Sequence, residues 1–366
     1  MQNDTNEVIF EDFSFAQCLR RPAAWFSAYE YAATCGAGGA TTTGDGTTTA
    51  AGASSSSSSS SSSEGGARDY SSCIIVDSGF SFSHVLPFVR GKCIKKSVKR
   101  VNIGGKLLTN YLKELVSYRQ WNMMEEFPLV DQVKEELCYV AGDFLQELQA
   151  VHDMHVKTAP SAAMRANPLL RRDPTPSSAA PTAGPRRGAG TIKFDPFGLP
   201  MKRSFVMPDY ATIMRGYVRP TGETPQPGQQ DLTMETERFT VPEVLFNPSD
   251  VGMDQGGIGD AVCESVSTMD VVDAGMAAAN LVLTGGNVKY PGFAQRLYSE
   301  ARPGVPDMYD VQVFAPDHPE FYAWQGAERF VQSERHTGVL QHALVTRAEY
   351  LEKGSAYINE KFWRGW

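Results

Sequence analysis

The stretch from Cys73 to His84 constrains the fold more than any other. The apolar run Cys73 to Val76 meets Asp77, Ser78 and Gly79, and Phe80 to His84 follows. An apolar run of this length that ends on glycine reads as a buried strand entering a tight turn. A second turn, Thr284, Gly285 and Gly286, follows the apolar run Leu281 to Leu283 and leads into Tyr290, Pro291, Gly292 and Phe293. Glycine lets backbone amides crowd a phosphate or a base with no Cβ in the way. Each turn taken singly reads equally well as a plain strand end.

Leu107, Leu108, Tyr111, Leu112, Leu115 and Val116 recur at helical spacing, as do Cys138, Val140, Ala141, Phe144, Leu145 and Leu148. Phe80, Phe82, His84 and Leu86 alternate as in a strand, and Met308 to Phe314 reads the same way. A mixed α/β fold is expected from these periods. Three segments break the pattern. Residues 35 to 69 are Gly, Thr and Ala followed by an unbroken serine run from Ser54 to Ser63, and this composition buries too little apolar area to offset the entropy of ordering. Thr158 to Gly190 mixes Pro, Ala and Arg and reads as a flexible loop, and Thr221 to Gln230 as a shorter bulge.

At 366 residues and a formal net charge of -8, the chain has ample length for a large core and is not basic enough to bind nucleic acid over its whole surface. No apolar run reaches the roughly 18 residues of a membrane span, so no membrane partner is expected. The six cysteines are scattered without a CxxC pair, which argues against a disulfide framework or a zinc knuckle. His152 and His155 have ligand-like spacing but lack further Cys or His nearby to complete a metal site. Lys92, Lys95, Lys96, Lys99 and Arg100 form a basic stretch without an intervening acid. It reads either as a solvated strand face or as a contact to nucleic-acid phosphates. Arg171, Arg172, Arg186 and Arg187 are too loosely spaced for more than steering an acidic partner or a weak nuclear address.

The two glycine turns, in this order, resemble the actin family, where the D-S-G hairpin cradles nucleotide phosphates and the later glycine turn before Y-P-G approaches the adenosine. Val101 to Leu112 and Val133 to Val140 resemble family segments lying in the same order. The resemblance narrows to one branch of actin-related proteins. It does so through Ile103 to Asn110 with Ser117 to Gln120, Met207 to Tyr210 with Arg215 to Tyr217, Glu237 to Asp250, and Val345 to Tyr350. It covers residues 7 to 34, 70 to about 157 and about 205 to 366.

This resemblance implies the actin-like fold, related to ribonuclease H and Hsp70-type ATPases, with the first phosphate-hairpin half largely missing. The implied divisions are an outer-subdomain helix over 1–34, a disordered insertion over 35–69 and an inner subdomain with the hairpin over 70–104. A second inner subdomain follows over 105–252, itself interrupted at 158–190. Residues 253–324 return to the first inner subdomain, and 325–366 form a C-terminal outer segment. A vestigial nucleotide site would then comprise Asp77, Ser78, Gly79, Gly105, Lys134, Glu135, Gly285, Gly286 and Tyr290. Asp77 equally reads as an acid bonding the amides of its own turn.

The implied site departs from the family ATPases. Phe80 and Ser81 stand where they carry a magnesium-linked acid and a glycine, Ala23 aligns with the water-orienting glutamine, and Glu320 with a lysine near the base. Asp77 and His84 do match the family's water-positioning pair. Phosphoryl transfer needs positioned charge around metal and phosphate, so no catalysis and no required cofactor or metal are expected, with weak ATP binding left open.

By resemblance, the function is that of a non-catalytic, nuclear subunit of a Swr-type chromatin remodeller that exchanges a variant histone into nucleosomes. Its implied partners are the motor subunit, a small zinc-finger subunit and the nucleosome. Tyr210, Arg215, Tyr217, Arg238 and Phe246 are of types that dominate interfaces and form the expected partner face, although Phe239 and Phe246 read alternatively as core. An actin-fold protein with weak or no ATPase activity and a divergent cytoskeletal protein are the other readings.

Overall fold

The computed structural model describes residues 2–37, 41–42, 47–49, 71–158, 195–336 and 338–363. The expected insertion at 158–190 lies, beyond Thr158, outside the described residues, as do most of 35–69 and the arginines at 171, 172, 186 and 187. The chain forms two compact units, Met1–Tyr111 with Pro242–Trp366, and Leu112–Val241.

In the first unit the apolar runs form the centre of a mixed sheet. Cys73–Ser78 and Ser83–Val89 pair antiparallel as a hairpin, and Leu281–Thr284 lies parallel to the first of these strands. Val313–Phe314 continues the sheet in parallel beyond Leu281–Thr284. All four residues of Leu281–Thr284 are buried, as are Cys73 to Val76, the pattern of strands covered on both faces. Lys92–Cys93 and Lys99–Val101 both pair with Ser83–Val89. At the opposite edge Thr47–Thr49 lies parallel to Val313–Phe314 and antiparallel to Thr41–Thr42.

One face of this sheet is covered by helix Ala23–Ala37, whose Ala24, Ala28, Tyr31 and Cys35 join Cys73, Ile75, Leu86, Phe88, Val282 and Phe314 in one core. Helix Tyr322–Ser333 packs closely on Ala23–Ala37: a Cβ on Gly326 would lie 2.1 Å from the Phe26 carbonyl oxygen. The pair is fastened by Arg329 Nε to Glu30 Oε2 at 2.6 Å and Nη2 to Oε1 at 2.8 Å. Phe10, Val345, Tyr350, Ile358 and Phe362 form a separate small core.

The second unit has a three-stranded antiparallel sheet with Arg203–Val206 between Asp231–Met234 and Tyr217–Val218. Tyr139, Ala141, Val151, Met201 and Phe239 form its core, with Phe144 against them. Leu108, Leu112 and Val116 are the buried stripe of helix Gly105–Arg119, as their spacing predicts. The second helical expectation needs correction. Helix Phe127–Leu137 ends before Cys138, residues 138 to 141 run on without helix, and a new helix opens at Phe144. Leu145 and Leu148 face outward, because Phe144 and Val151 supply the buried side instead. Phe80 and Phe82 likewise lie in the hairpin turn rather than in a strand, and Met308 to Gln312 precede a strand of only Val313–Phe314.

Candidate functional site

The hairpin turn and the second glycine turn meet in the first unit. Parallel pairing puts Thr284 beside Asp77, and antiparallel pairing puts His84 across from Asp77. Gly285 has φ +94°, and a Cβ there would lie 2.2 Å from the Ser78 carbonyl oxygen and 3.1 Å from Asp77 Oδ1. Only glycine fits this position. Beyond it, Asn287 Nδ2 donates to Ser78 Oγ at 3.1 Å and to the Gly79 carbonyl at 2.8 Å, which joins the two turns. Ser78 Oγ and Ser83 Oγ share a hydrogen bond of 2.8 Å, and Ser83 Oγ donates to the Ile103 carbonyl at 2.9 Å.

The start of helix Gly105–Arg119 closes on the same turn. The Gly105 amide donates to the Gly79 carbonyl at 3.1 Å and the Lys106 amide to the Phe80 carbonyl at 2.8 Å. The Leu107 and Leu108 amides both reach the Gly104 carbonyl, at 3.0 and 3.3 Å. The first four amides of a helix are the donors that would otherwise hold an anion. Here the chain itself satisfies three of them, those of Gly105, Lys106 and Leu107. Gly104 permits the approach, since a Cβ would lie 2.5 Å from the Phe80 carbonyl oxygen.

Burial pushes the Asp77 carboxyl above its ordinary range, opposed by the nearby His84 charge and by a hydrogen bond with Thr284. Burial pulls His84 the other way, below the usual imidazole value; Asp77 opposes that shift and Arg100 adds to it. Phe80 is 54% exposed at the turn, and Phe82 beside it carries the Arg100 guanidinium 3.6 Å from its ring centroid. The turn therefore presents two aromatic rings and a stacked cation.

The remaining predicted nucleotide residues are placed as follows. Gly286 has open space at its Cβ position, and Tyr290 is buried with its amide on the Asn287 carbonyl at 3.3 Å. In the second unit Lys134 is buried and its Nζ lies 2.6 Å from Asp131 Oδ1, while Glu135 is exposed. Lys289 Nζ pairs with Glu320 Oε1 at 3.1 Å. Asn287, the residue that ties the two turns together, was not singled out by motif reasoning. A polar residue placed next to two glycines in an apolar setting is the signal that points to it. Among the described residues no group of three or more His, Cys, Asp or Glu side chains could hold a metal, and His155 Nε2 lies 3.1 Å from Glu235 Oε2.

The expected partner face divides. Tyr210, at φ +56° and 67% exposed, sits with exposed Arg215 and Tyr217 on a loop and strand start of the second unit. The Asp209 carboxylate organises that loop, accepting the Thr212 hydroxyl and the amides of Ala211, Thr212 and Ile213 at 2.9, 2.8 and 2.7 Å; the hydroxyl first and then the amides hold its pKa well below the usual range. Arg238 and Phe246 require correction. Arg238 is 2% exposed and donates to the carbonyls of Leu137, Pro200 and Met201 and to Asp195 Oδ2. Phe246 is buried against Phe293 with Arg296 over its ring. Both side chains hold the fold together, so neither is presented to a partner.

The basic stretch is partly neutralised within the first unit. Lys99 pairs with Glu264, Lys96 Nζ lies 3.8 Å from Asp270 Oδ1, and Arg100 is stacked on Phe82.

Compared with known proteins, the chain matches the actin family over residues 1–363. It belongs to that family. Its similar relatives share one name within it: the chain is 35% identical to Actin-related protein 6 of Drosophila melanogaster, over 99% of this chain and 73% of that protein. It is 30% identical to Actin-related protein 6 of Arabidopsis thaliana over 99% of this chain and 74% of the relative. Identity is 34% to Actin-like protein arp6 of Emericella nidulans, over 79% of this chain and 56% of the relative.

Proposed function

We propose that this actin-related protein is a non-catalytic, nuclear subunit of a Swr-type chromatin remodeller that exchanges a variant histone into nucleosomes, and that it acts as a binding scaffold. The observation that carries the non-catalytic reading is the hairpin turn. Phe80 replaces the acid, and the Gly105 and Lys106 amides at the adjoining helix start are already bonded to the Gly79 and Phe80 carbonyls of the turn. The scaffold role rests on the resemblance to the branch and on Tyr210, Arg215 and Tyr217, exposed side chains of the kinds that anchor interfaces. They are the proposed docking side chains for the zinc-finger subunit and the motor. Nucleosomal DNA would meet the basic stretch through Lys92 rather than through Lys99, which pairs with Glu264.

Two assays test this reading. Purified protein should turn over no ATP above a blank. Turnover that follows the protein through gel filtration and disappears in Asp77→Ala would overturn the non-catalytic assignment. Arg215→Glu combined with Tyr217→Ala should lower recovery of the zinc-finger and motor subunits at least tenfold, from a loss of roughly 1 to 3 kcal/mol per anchor. Wild-type recovery with that double variant would remove this face from the account.

A further inference from the structure

A second feature of the Leu112–Val241 unit lies apart from the Tyr210 loop. A cleft of about 430 Å³ is lined by Pro200, Met201, Lys202, Arg203, Ser204, Arg219, Pro220, Thr221, Gly222 and Glu235. Three of these are cations and one is an acid. Arg219 is 8% exposed, and its terminal nitrogens are held by Asp231, at 2.5 and 2.7 Å, and by Gln229 at 2.7 Å. Its Nε, buried in the wall, has no hydrogen-bond partner among the described residues. Arg203 is half-buried and forms no ion pair with a described residue; burial and then the nearby Arg238 charge disfavour its protonated form, and the charge of Asp195 opposes them. Lys202 is exposed and also without an ion pair among the described residues. Glu235 is already engaged by His155 at 3.1 Å.

A half-buried guanidinium without a direct ion pair, as at Arg203, is costly, and a ligand carboxylate in bidentate contact removes that cost. We propose that this cleft binds an acidic peptide segment, with a Glu or Asp carboxylate against Arg203 and Lys202 and neighbouring apolar side chains against Pro200 and Pro220. A concave, partly apolar site with two uncommitted cations suits one or two carboxylates on a flexible chain. A DNA backbone instead needs several cations spread over a broad face. The proposal does not depend on the chromatin assignment.

The test uses the full chain and fluorescence anisotropy with three probes: a short labelled peptide alternating Glu and Leu, its Gln counterpart, and a short DNA duplex. The Glu peptide should bind at least about tenfold more tightly than the Gln peptide, and added salt should weaken it. Lys202→Gln with Arg203→Gln should weaken Glu-peptide binding by about tenfold, and Arg203→Lys alone should lose a smaller part of it at an unchanged melting temperature, because an ammonium keeps the charge but not the bidentate fork. Arg215→Gln, on the separate loop, should leave it unaltered. Equal binding of the two peptides, wild-type affinity in the double variant, or preferential binding of the duplex would overturn the proposal.

Discussion

Replacing Arg238 by Ala should destabilise the Leu112–Val241 unit far more than any surface change in it. The guanidinium holds four acceptors: the Leu137 carbonyl at 3.0 Å, the Pro200 and Met201 carbonyls at 2.9 Å each, and Asp195 Oδ2 at 2.8 Å. It also lies 5.0 Å from the Tyr139 ring centroid. Asp195 is itself buried, so the alanine variant leaves a carboxylate in the interior with only the Phe197 and Leu199 amides to hold its charge. Removing one partner of a buried pair costs about 3 to 5 kcal/mol, and the orphaned carbonyls push the sum toward the upper end. At about 2 to 4 °C per kcal/mol, the transition should fall by roughly 10 to 15 °C.

Thermal melting combined with hydrogen exchange reads this out. Amides over 137–141 and 195–206 should lose protection while those of strand Leu281–Thr284 keep theirs. Arg238→Met with Asp195→Asn should recover part of the loss, because the buried charge then disappears with its partner. Arg238→Ala melting within about 2 °C of wild type, together with reduced partner recovery, would refute the reasoning and return Arg238 to the interface.

Gly285→Ala should cost at least about 2 kcal/mol, from a positive φ combined with the contact on the Ser78 carbonyl, whereas Gly286→Ala, with open space at its Cβ, should be near neutral. Equal melting of the two variants would contradict the close approach of the turns. For Asp77, whose folded pKa is raised above 3.8 by burial, the folded state holds more protons than the unfolded one between those values, so its contribution to stability falls as pH rises through that window. Asp77→Asn removes this slope. Its melting temperature should gain on wild type as pH rises toward neutrality and show no gain below about pH 3.8, and a variant less stable at every pH would contradict this.

Much of the first unit is legible in the sequence because the constraint is backbone geometry. A turn that leaves no room for a Cβ demands glycine, and strands covered on both faces demand unbroken apolar runs, so Cys73 to Gly79 and Leu281 to Gly286 carry their own structural signature. The aromatic and arginine positions are not legible in the same way. Residue type alone does not distinguish Arg215, which faces solvent, from Arg238, which bonds backbone carbonyls in the interior. Nor does it distinguish Tyr210 from Phe246. That distinction is made by distant segments: Asp195 and Met201 for Arg238, Phe293 for Phe246. The helical reading of Cys138 to Leu148 fails for a related reason, since the apolar residues before Gly142 are buried in an extended segment and mimic a helical period. Neutralisation of Lys99 was likewise invisible until helix Ile258–Ser267 brought Glu264 to it.

The proposed role inside a chromatin remodeller is tested by affinity purification of the tagged chain from nuclei, with cross-linking and mass spectrometry of what elutes on gel filtration. Co-elution with a Swr-type motor and a zinc-finger subunit is expected, with cross-links from the segment containing Tyr210, Arg215 and Tyr217. Elution as a free monomer or within filaments, without a remodeller motor, would contradict it.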